Sequence, residues 1–447
     1  AGDQTVYSFR TQPTIGNKRH YRVLMLGDHQ LINRSGYEWL YQAAKKNIET
    51  KYGGAIEDHI DLILNPGDQV NEGSLKHYER CHFYKSSFFS PRIPIMTTVG
   101  NHEYKKDPDV QNYRSLFAYE GLSYQGISSN TDTYYAIQEG SVLFISLCTE
   151  TETHANNTQV NWLKQVLAAA EQDPTVTFVT SICHRPLCSE SYIDDYSPWL
   201  KETVVPILSS CRKHVLHVAA HHHYYQRGQV PEGDFYHIIS GGASWDQFWS
   251  MAPTTYDNDL VQKTHDYWAY QIFDYDPETQ KMTVESYSIG NKNVVHNNML
   301  IDRFSRDLSK TARPDKPVLT GISSQVELPT TLQSSDYVSS VSGDFNSAQF
   351  QIALSEDFKK PLVDRTQHFE NFFKDGGPKF YIPTNTQKDK YATSLLLEKG
   401  DLQAGDYFLR VRYRNQNLQW SEWSDAKALH VTLKAIEDVE PSMSFEK

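Results

Sequence analysis

The stretch IPIMTTVGNHE, residues 93–103, joins an apolar run to the polar residues Asn101, His102 and Glu103. A run of apolar and β-branched residues without polar alternation is typical of a strand that is buried on both faces. In open α/β sheets, sites form at the carboxyl ends of the strands. The stretch therefore predicts a buried strand that leads directly into a site.

The same arrangement recurs along the chain. Polar residues follow further apolar runs: Asp28 and Gln30 after YRVLMLG (21–27), Asp68 and Asn71 after IDLILNPG (60–67), His184 and Arg185 after TVTFVTSIC (175–183), and His221, His222 and His223 after HVLHVAA (214–220). Taken alone, a strand-terminal Asp is more often a helix N-cap. Together, the order and strand-end position of these residues indicate a metal site. Carboxylate, amide and imidazole ligands without thiolates suit Mn, Fe or Zn.

Amphipathic stretches separate the strand-like runs. SGYEWLYQAAKKNIETKY (35–52) and TQVNWLKQVLAAAEQD (158–173) have helical spacing, and the second places Val160, Leu163, Val166 and Leu167 on one face. Alternating strands and helices predict an α/β domain with a largely parallel sheet. The segment 267–289 reads as a hairpin that closes this region.

Composition excludes several classes of function. The 447-residue chain has a formal net charge of −12, which argues against nucleic acid as its main partner. No apolar run approaches the ~20 residues that span a bilayer. The start of the chain has neither the basic nor the apolar region of a signal peptide, and removal of one from a precursor stays an open alternative. The spacing of the five cysteines contains no CxxC metal-binding pattern. Cys183 and Cys188 either form a local disulfide or remain free thiols.

The C-terminal part has a different pattern. After the Pro-punctuated linker TARPDKPVL (311–319), short alternating strands predominate. Three arginines, Arg410, Arg412 and Arg414, share one face of a strand. The indoles of the WSEWS element, Trp420 and Trp423, are expected to stack between those guanidinium groups.

The order Asp…GD…GNHE…H…HxH resembles the calcineurin-like metallophosphoesterase superfamily over about residues 20–300. Within it, AHHHYYQR (220–227) and HIISGGAS (237–244) are most similar to purple acid phosphatase-like enzymes. The resemblance implies a four-layer α/β sandwich, in which helices flank two mainly parallel or mixed sheets.

The C-terminal region resembles a fibronectin type III sandwich. The expected boundaries are a residual strand or linker (1–13), the catalytic domain (14–308), a linker (309–318), the all-β domain (319–434) and an acidic tail (435–447).

The resemblance also implies a centre of two divalent ions. Asp68 would bridge them, Asp28 and His223 would bind the first ion, and Asn101, His184 and His221 the second. Either Gln30 or Asn71 is expected to lend an amide oxygen to the first ion, or water is expected to fill the gap, and weaker occupancy of that site is one outcome. His222 alternates with its neighbours along an extended segment and is expected behind the ligands or at the surface.

Three positions depart from the family pattern: Gln30 replaces a histidine, Asn71 replaces the tyrosine of the purple enzymes, and Ala220 replaces a glycine. Without that tyrosine there is no tyrosine–Fe(III) charge transfer, so a colourless protein is expected.

The implied reaction is hydrolysis of a small phosphate ester, in which a metal-bridging hydroxide attacks phosphorus in line. His102 is the expected stabiliser of the phosphate oxygens or proton donor to the leaving group, and Arg185 either contacts the oxyanion or pairs with a carboxylate.

A phosphomonoesterase is the main interpretation. A phosphodiesterase and a non-catalytic scaffold that binds a ligand through its sandwich domain are the alternatives. The domain combination favours a secreted, periplasmic or cell-surface protein, and the oligomeric state stays open.

Overall fold

The computed structural model divides the chain into two units, Ala1–Thr311 with Glu370–Thr386, and Ala312–Phe369 with Gln387–Lys447. The structure describes residues 7–33, 35–150, 157–192, 195–243, 256–291, 294–338, 343–373, 384–388 and 392–433. The expected tail, 435–447, lies outside the described residues. Residues 7–13 form no strand, and within them Arg10 Nη2 donates to Asp61 Oδ1 at 2.6 Å. The expected domain boundaries stay predictions.

The first sheet of the larger unit combines parallel and antiparallel strands. Its strands are β1 (Tyr21–Met25), β2 (Leu62–Asn65), β3 (Ile95–Thr97), β13 (Trp268–Asp276), β14 (Lys281–Gly290) and β15 (Val295–Asp307), in the order β15-β14-β13-β1-β2-β3. Strands β1, β2 and β3 are parallel, and β13 pairs antiparallel with β1. The predicted hairpin 267–289 corresponds to β13 and β14. Strand β15 carries no clear sequence pattern because it is an exposed edge strand.

The second sheet is also mixed. Its strands are β6 (Tyr135–Glu139), β7 (Val142–Ser146), β8 (Phe178–Ile182), β9 (His214–Ala219), β10 (Tyr225–Gln229), β11 (Tyr236–Ser240) and β12 (Val261–His265), in the order β12-β10-β11-β9-β8-β7-β6. A small hairpin joins β4 (Ser123–Tyr124) to β5 (Ile127–Ser128). The parallel strands β7, β8, β9 and β11 are buried throughout, which explains their apolar sequences.

Helices cover both sheets of the larger unit. They are α1 (Gly36–Tyr52), α2 (Leu75–His77), α3 (Tyr84–Ser86), α4 (Gln111–Leu116), α5 (Thr158–Gln172) and α6 (Val205–Leu208). Short π-helical segments, Tyr78–Phe83 and Leu200–Val204, adjoin α2, α3 and α6, and a single 3₁₀ turn spans Ile56–Asp58.

Four layers result from this packing, as the sequence predicted. Helix α5 buries its predicted apolar face in the core of the second sheet. Helix α1 buries Leu40 and Ile48 in the core of the first. Between the sheets, the Tyr275 hydroxyl of β13 lies 2.7 Å from Thr180 Oγ1 of β8, and its ring centroid is 6.0 Å from that of Phe144. The order is therefore helix, sheet, sheet, helix.

The smaller unit is a β-sandwich. Its strands are β16 (Leu319–Thr320), β17 (Gln325–Leu328), β18 (Thr330–Ser334), β19 (Phe345–Ala353), β20 (Val363–His368), β21 (Ser394–Leu397), β22 (Gly405–Asn415) and β23 (Lys427–Leu433). Sheet β16-β18-β21 faces sheet β17-β23-β22-β19-β20, and one apolar core joins Leu332 and Leu395 to Phe350 and Val411.

The predicted ladder of arginines and tryptophans is present on this sandwich. The Arg410 guanidinium lies 4.1 Å from the Trp423 ring, Arg412 lies 4.0 Å from Trp420 and 4.5 Å from Trp423, and Arg414 lies 4.8 Å from Trp420. Cations and indole faces thus alternate, which confirms the expected stacking.

Two further expectations concern the whole chain. None of the described helices has the length and hydropathy of a membrane span. The five cysteines are buried and reduced, so Cys183 and Cys188 do not bridge.

Candidate metal centre

The predicted ligands gather at the carboxyl ends of strands from both sheets of the larger unit. Asp28 follows β1, Asp68 follows β2, and Asn101 follows β3. His184 follows β8, and His221 and His223 follow β9. Parallel strands end at one edge of a sheet, so residues far apart in sequence meet there.

The first ligand group contains Asp68, His184 and His221, whose ligand atoms all lie within 4.8 Å of one another. Asn101 joins them, because its Oδ1 is 3.0 Å from His184 Nε2 and 3.1 Å from His221 Nδ1. His184 Nε2 and His221 Nδ1 are themselves 3.1 Å apart. Four ligand-type atoms therefore converge on one point.

Outer partners fix which imidazole nitrogens face that point. His184 Nδ1 lies 2.9 Å from the Pro66 carbonyl oxygen, to which it donates, so Nε2 is the nitrogen that faces the point. His221 Nε2 lies 3.0 Å from Asp195 Oδ2, which leaves Nδ1 as the inward atom. Such outer acceptors are a regular accompaniment of metal-binding histidines.

The second ligand group contains Asp28, Asp68 and His223, again with ligand atoms within 4.8 Å. Gln30 lies against it, with Nε2 3.3 Å from both Asp68 Oδ2 and His223 Nε2. The backbone N–H of His221 donates to Asp28 Oδ2 at 3.0 Å.

Asp68 belongs to both groups, and its bridging of two ions, which the resemblance implies, stays a prediction. Converging oxygen and imidazole donors fit divalent ions such as Mn, Fe or Zn. The donor chemistry of the two groups therefore fits the metal pair that the family implies, although the roles of individual residues stay predictions.

Backbone conformation at the centre is unusual. Asp28, Asp68 and His221 have positive φ angles of 57°, 52° and 68°. Non-glycine residues rarely adopt this left-handed region, and the associated strain clusters at functional sites. Gly67 and Gly241 allow close packing, because a Cβ atom would lie 2.3 Å from His184 Nδ1 and 2.1 Å from Asp28 Oδ2, respectively.

Charges within the centre shift its pKa values. Burial opposes ionisation of Asp68, but His184 holds the pKa of that carboxyl well below its usual range. Burial lowers the pKa of His184, yet Asp68 and Asp28 outweigh it and raise the pKa to about 10. Burial raises the pKa of Asp28 and lowers that of His223 to about 3. Without an ion, a proton on His184 thus supplies the positive charge between the carboxylates.

Glu103 supports the centre in a way that the sequence analysis did not assign. Its carboxylate accepts backbone N–H groups from Asp68 at 3.0 Å, Gly100 at 2.6 Å, Gln69 at 2.8 Å and Val70 at 3.3 Å. Burial and the neighbouring Asp68 raise the pKa of Glu103 to about 8. Glu103 therefore joins the loop after β2 to the loop after β3. Its only sequence signal is its place in GNHE.

His102 stands beside the ligand groups. Its Nε2 is 3.8 Å from Asp68 Oδ2, and its Nδ1 donates to the Asn71 carbonyl oxygen at 2.8 Å. Lys105 Nζ lies 2.6 Å from His102 Nε2, a neighbour that the sequence analysis missed. Asn71 itself is exposed, and its backbone oxygen accepts from His102. The expected amide oxygen from Gln30 or Asn71 stays a prediction.

Arg185 takes the second of its two expected roles. Its Nε donates to Glu150 Oε2 at 2.9 Å, and its Nη1 pairs with Asp195. Nη1 also lies 3.1 Å from His221 Nε2. Two carboxylates therefore compete with any oxyanion for this guanidinium.

Two other histidines of the motifs, His222 and His29, belong to neither of these two ligand groups, although His222 forms a further candidate group with His221 and Asp195. His222 is buried, and its Nδ1 lies 2.8 Å from Ser189 Oγ, which places it behind the ligands and not at the surface. His29 is buried, stacks on Tyr37 at 4.0 Å and lies 3.0 Å from His82 Nδ1 through its Nε2.

Two mixed sheets with flanking helices hold a carboxylate that two ligand groups share, and the family comparison places this arrangement among the metal-dependent phosphoester hydrolases. Residues 21–225 match the model of the calcineurin-like phosphoesterase family. The chain therefore carries a calcineurin-like phosphoesterase domain.

Solved structures provide a second comparison. A purple acid phosphatase from yellow lupin (Lupinus luteus) seeds aligns with a TM-score of 0.52 and 15% identity, over 67% of this chain and 56% of that chain. GAP50, the anchor in the inner membrane complex of Plasmodium, aligns with a TM-score of 0.48 and 13% identity, over 64% of this chain and 89% of that chain. PhoD aligns with a TM-score of 0.46 and 13% identity, over 67% of this chain and 72% of that chain.

The likeness to the lupin enzyme supports the fold, and this chain spans little more than half of that enzyme's length. No curated protein sequence matches the chain.

Proposed function

We propose that the chain hydrolyses small phosphate monoesters with two divalent ions bound around Asp68. The observation that carries the proposal is that Asp68 belongs to two adjoining ligand groups. When bound, such ions supply Lewis-acid polarisation of a phosphoryl oxygen and an activated water molecule. The family match over residues 21–225 supports the same class of reaction.

The chain's own residues hold the reactants in place. The Pro66 carbonyl and Asp195 keep the inward nitrogens of His184 and His221 free of protons when an ion is bound. The hydrogen bond from His102 Nδ1 to Asn71 leaves His102 Nε2 as the atom that exchanges a proton with the leaving oxygen.

Charge favours a small monoester as substrate. The net charge of −12 disfavours long polyanions. The exposed Lys105, whose Nζ lies 2.6 Å from His102 Nε2, provides a cation that complements the extra negative charge of a monoester.

We also propose that the sandwich is a fibronectin type III-like domain, which the Arg–Trp ladder supports, and that the protein is exported or held at a cell surface.

One observation favours a non-catalytic scaffold as the second candidate. The Gln30 amide nitrogen occupies the space between Asp68 and His223, where family members have a histidine ligand. In that case the centre would bind metal weakly and turn over no ester.

The test is an assay of metal-reconstituted protein on p-nitrophenyl phosphate and on its bis-ester. The proposal expects monoester turnover, a loss of at least about 100-fold in Asp68→Asn, and an intact rate in Asp425→Asn, which lies on the exposed surface of the sandwich. Faster turnover of the bis-ester would assign a phosphodiesterase. Turnover of neither ester, or full activity in Asp68→Asn, would contradict the proposed reaction and favour the non-catalytic scaffold.

A further inference from the structure

The Gln30 side chain lies inside one of the two ligand groups as a hydrogen-bond donor. It is fully buried, and its amide nitrogen is 3.3 Å from Asp68 Oδ2 and 3.3 Å from His223 Nε2. Asp68 and His223 form a ligand group with Asp28, so the Gln30 amide donates to two of its three members. An amide N–H₂ has two donors, so it satisfies both acceptors in place of a cation.

The other end of the same amide is unsatisfied. Among the described residues, no donor reaches Gln30 Oε1, although this oxygen is buried. A buried acceptor without a partner costs free energy, and such atoms in native structures call for an explanation. Turning the amide over exchanges its oxygen and nitrogen, and then Oε1 faces Asp68 and His223. That orientation places oxygens and an imidazole together and is favourable only with a cation between them.

The amide of the neighbouring group has the opposite orientation. Asn101 presents its oxygen, and not its nitrogen, toward both His184 and His221. The Pro66 carbonyl and Asp195 already hold the two imidazoles with their inward nitrogens toward that oxygen. An ion at this group therefore displaces the His184 proton but needs no rotation of the Asn101 amide, whereas the Gln30 amide first has to break two hydrogen bonds and turn over.

We propose that Gln30 makes the centre unequal: the Asn101–His184–His221 side binds its ion tightly, and the Asp28–His223 side binds a second ion weakly, after the Gln30 amide has turned over. The inference rests on the proposed function only in taking the centre to be a metal centre. Changes in outer-shell partners alter metal affinity about 10- to 100-fold, so we expect the two dissociation constants to differ by at least about 10-fold.

The experiment is a Mn²⁺ titration of the full-length protein, followed by equilibrium dialysis and by electron paramagnetic resonance. Wild type should bind one ion tightly and give the spectrum of isolated Mn²⁺. A second ion should appear only at higher concentration, together with the spectrum of an exchange-coupled pair. Gln30→His removes the amide donor and adds an imidazole, and should bind two ions with similar affinity and give the coupled spectrum from the start.

Two further variants serve as a control for the added imidazole and as an alternative to Gln30→His. Gln111→His adds an imidazole at an exposed position of α4 and should titrate as wild type. Gln30→Glu keeps the length of the side chain and replaces the donor by a carboxylate; it should also strengthen the second ion, and it serves if Gln30→His does not fold.

The metal titration tests the unequal affinities of the two sides independently of whether the protein hydrolyses phosphate esters. Two equally tight ions in wild type, or an unchanged weak second ion in folded Gln30→His and Gln30→Glu, would overturn it, whether or not p-nitrophenyl phosphate is hydrolysed. The expected titration without turnover in any variant would uphold the unequal centre and reject the phosphatase activity.

Discussion

Glu103 and Asp68 are joined through the backbone: the Asp68 N–H donates to Glu103 Oε2 at 3.0 Å. The same carboxylate also accepts the N–H groups of Gly100, Gln69 and Val70. Asp68 has a positive φ angle of 52°, so its loop needs such external support. The carboxylate that the two ligand groups share is thus held in place by a residue that itself belongs to neither group.

Removal of this support should weaken both the fold and the metal centre. Glu103→Ala leaves buried N–H groups without acceptors, which should lower the free energy of unfolding by about 2–4 kcal/mol. Metal affinity should fall about 10- to 100-fold. Chemical denaturation and a metal titration measure the two effects. Glu278→Ala, on the exposed turn between β13 and β14, is the control. Unchanged metal affinity in a folded Glu103→Ala protein would show that Glu103 does not position Asp68.

The stability of the metal-free protein should depend on pH through His184. Its folded-state pKa of about 10 lies above the ordinary value of 6.5, because Asp68 and Asp28 outweigh the effect of burial. The proton on His184 therefore stabilises the fold fully below about pH 6.5, and this contribution is lost as the pH rises toward 10.

Thermal unfolding between pH 6.5 and 10 measures this loss. The melting temperature should fall more steeply in metal-free wild type than in His184→Gln. Metal binding requires the deprotonated imidazole, so it should release protons at pH 8. Calorimetric titrations in buffers with different ionisation enthalpies would detect that release; parallel pH profiles for both proteins would argue against the shifted pKa.

Activity should decline toward alkaline pH if His102 donates a proton. Burial lowers the pKa of His102 below its ordinary value of 6.5, although Asp68 opposes the shift. The protonated form is populated below that pKa, so kcat should fall as the pH rises through it. His102→Ala should lower kcat about 10²- to 10⁴-fold and remove this limb of the profile. A variant that keeps the same limb would assign the proton to another group.

The Arg–Trp ladder should stabilise the sandwich independently of the metal centre. Arg412 lies between Trp420 and Trp423, so Arg412→Ala should cost about 1–2 kcal/mol of unfolding free energy. Lys399→Ala removes an exposed cation from the same unit and should cost little. Denaturation with the unit's tryptophan fluorescence as the signal measures both. Equal stability of the two variants would mean that the stacked cations contribute nothing.

Iron-loaded protein should be colourless. The residue three positions after Asp68 is Asn71, which is exposed and presents its backbone oxygen to His102. No tyrosine stands at that position to give a phenolate charge-transfer band. Absorption spectroscopy of protein reconstituted with Fe(III) tests this, and an intense visible band would reveal a phenolate ligand that the account lacks.

Strand-end residues made most of the centre predictable from sequence. Asp28, Asp68, Asn101 and His184 each follow an apolar run, and parallel strands bring such ends together whatever their separation in sequence. The ladder was predictable for a similar reason, since alternation along one strand fixes which side chains share a face.

What the sequence did not predict depends on contacts between loops. The partners of Arg185 are Glu150 and Asp195, which no spacing rule relates to it. The four N–H groups that Glu103 accepts come from two different loops, and the direction of the Gln30 amide depends on neighbours nearly 40 and 200 positions away. Strand β15 was missed because an edge strand mixes exposed and buried residues without a clear period.

Anomalous diffraction at the zinc edge, from crystals grown with excess Zn²⁺, tests the central claim most directly. The account predicts zinc peaks on both sides of Asp68, each about 2.0–2.2 Å from a carboxylate oxygen of that residue. One peak should also contact His184 and His221, and the other Asp28 and His223. Zinc bound elsewhere in the chain, with no peak within coordination distance of Asp68, would contradict the account.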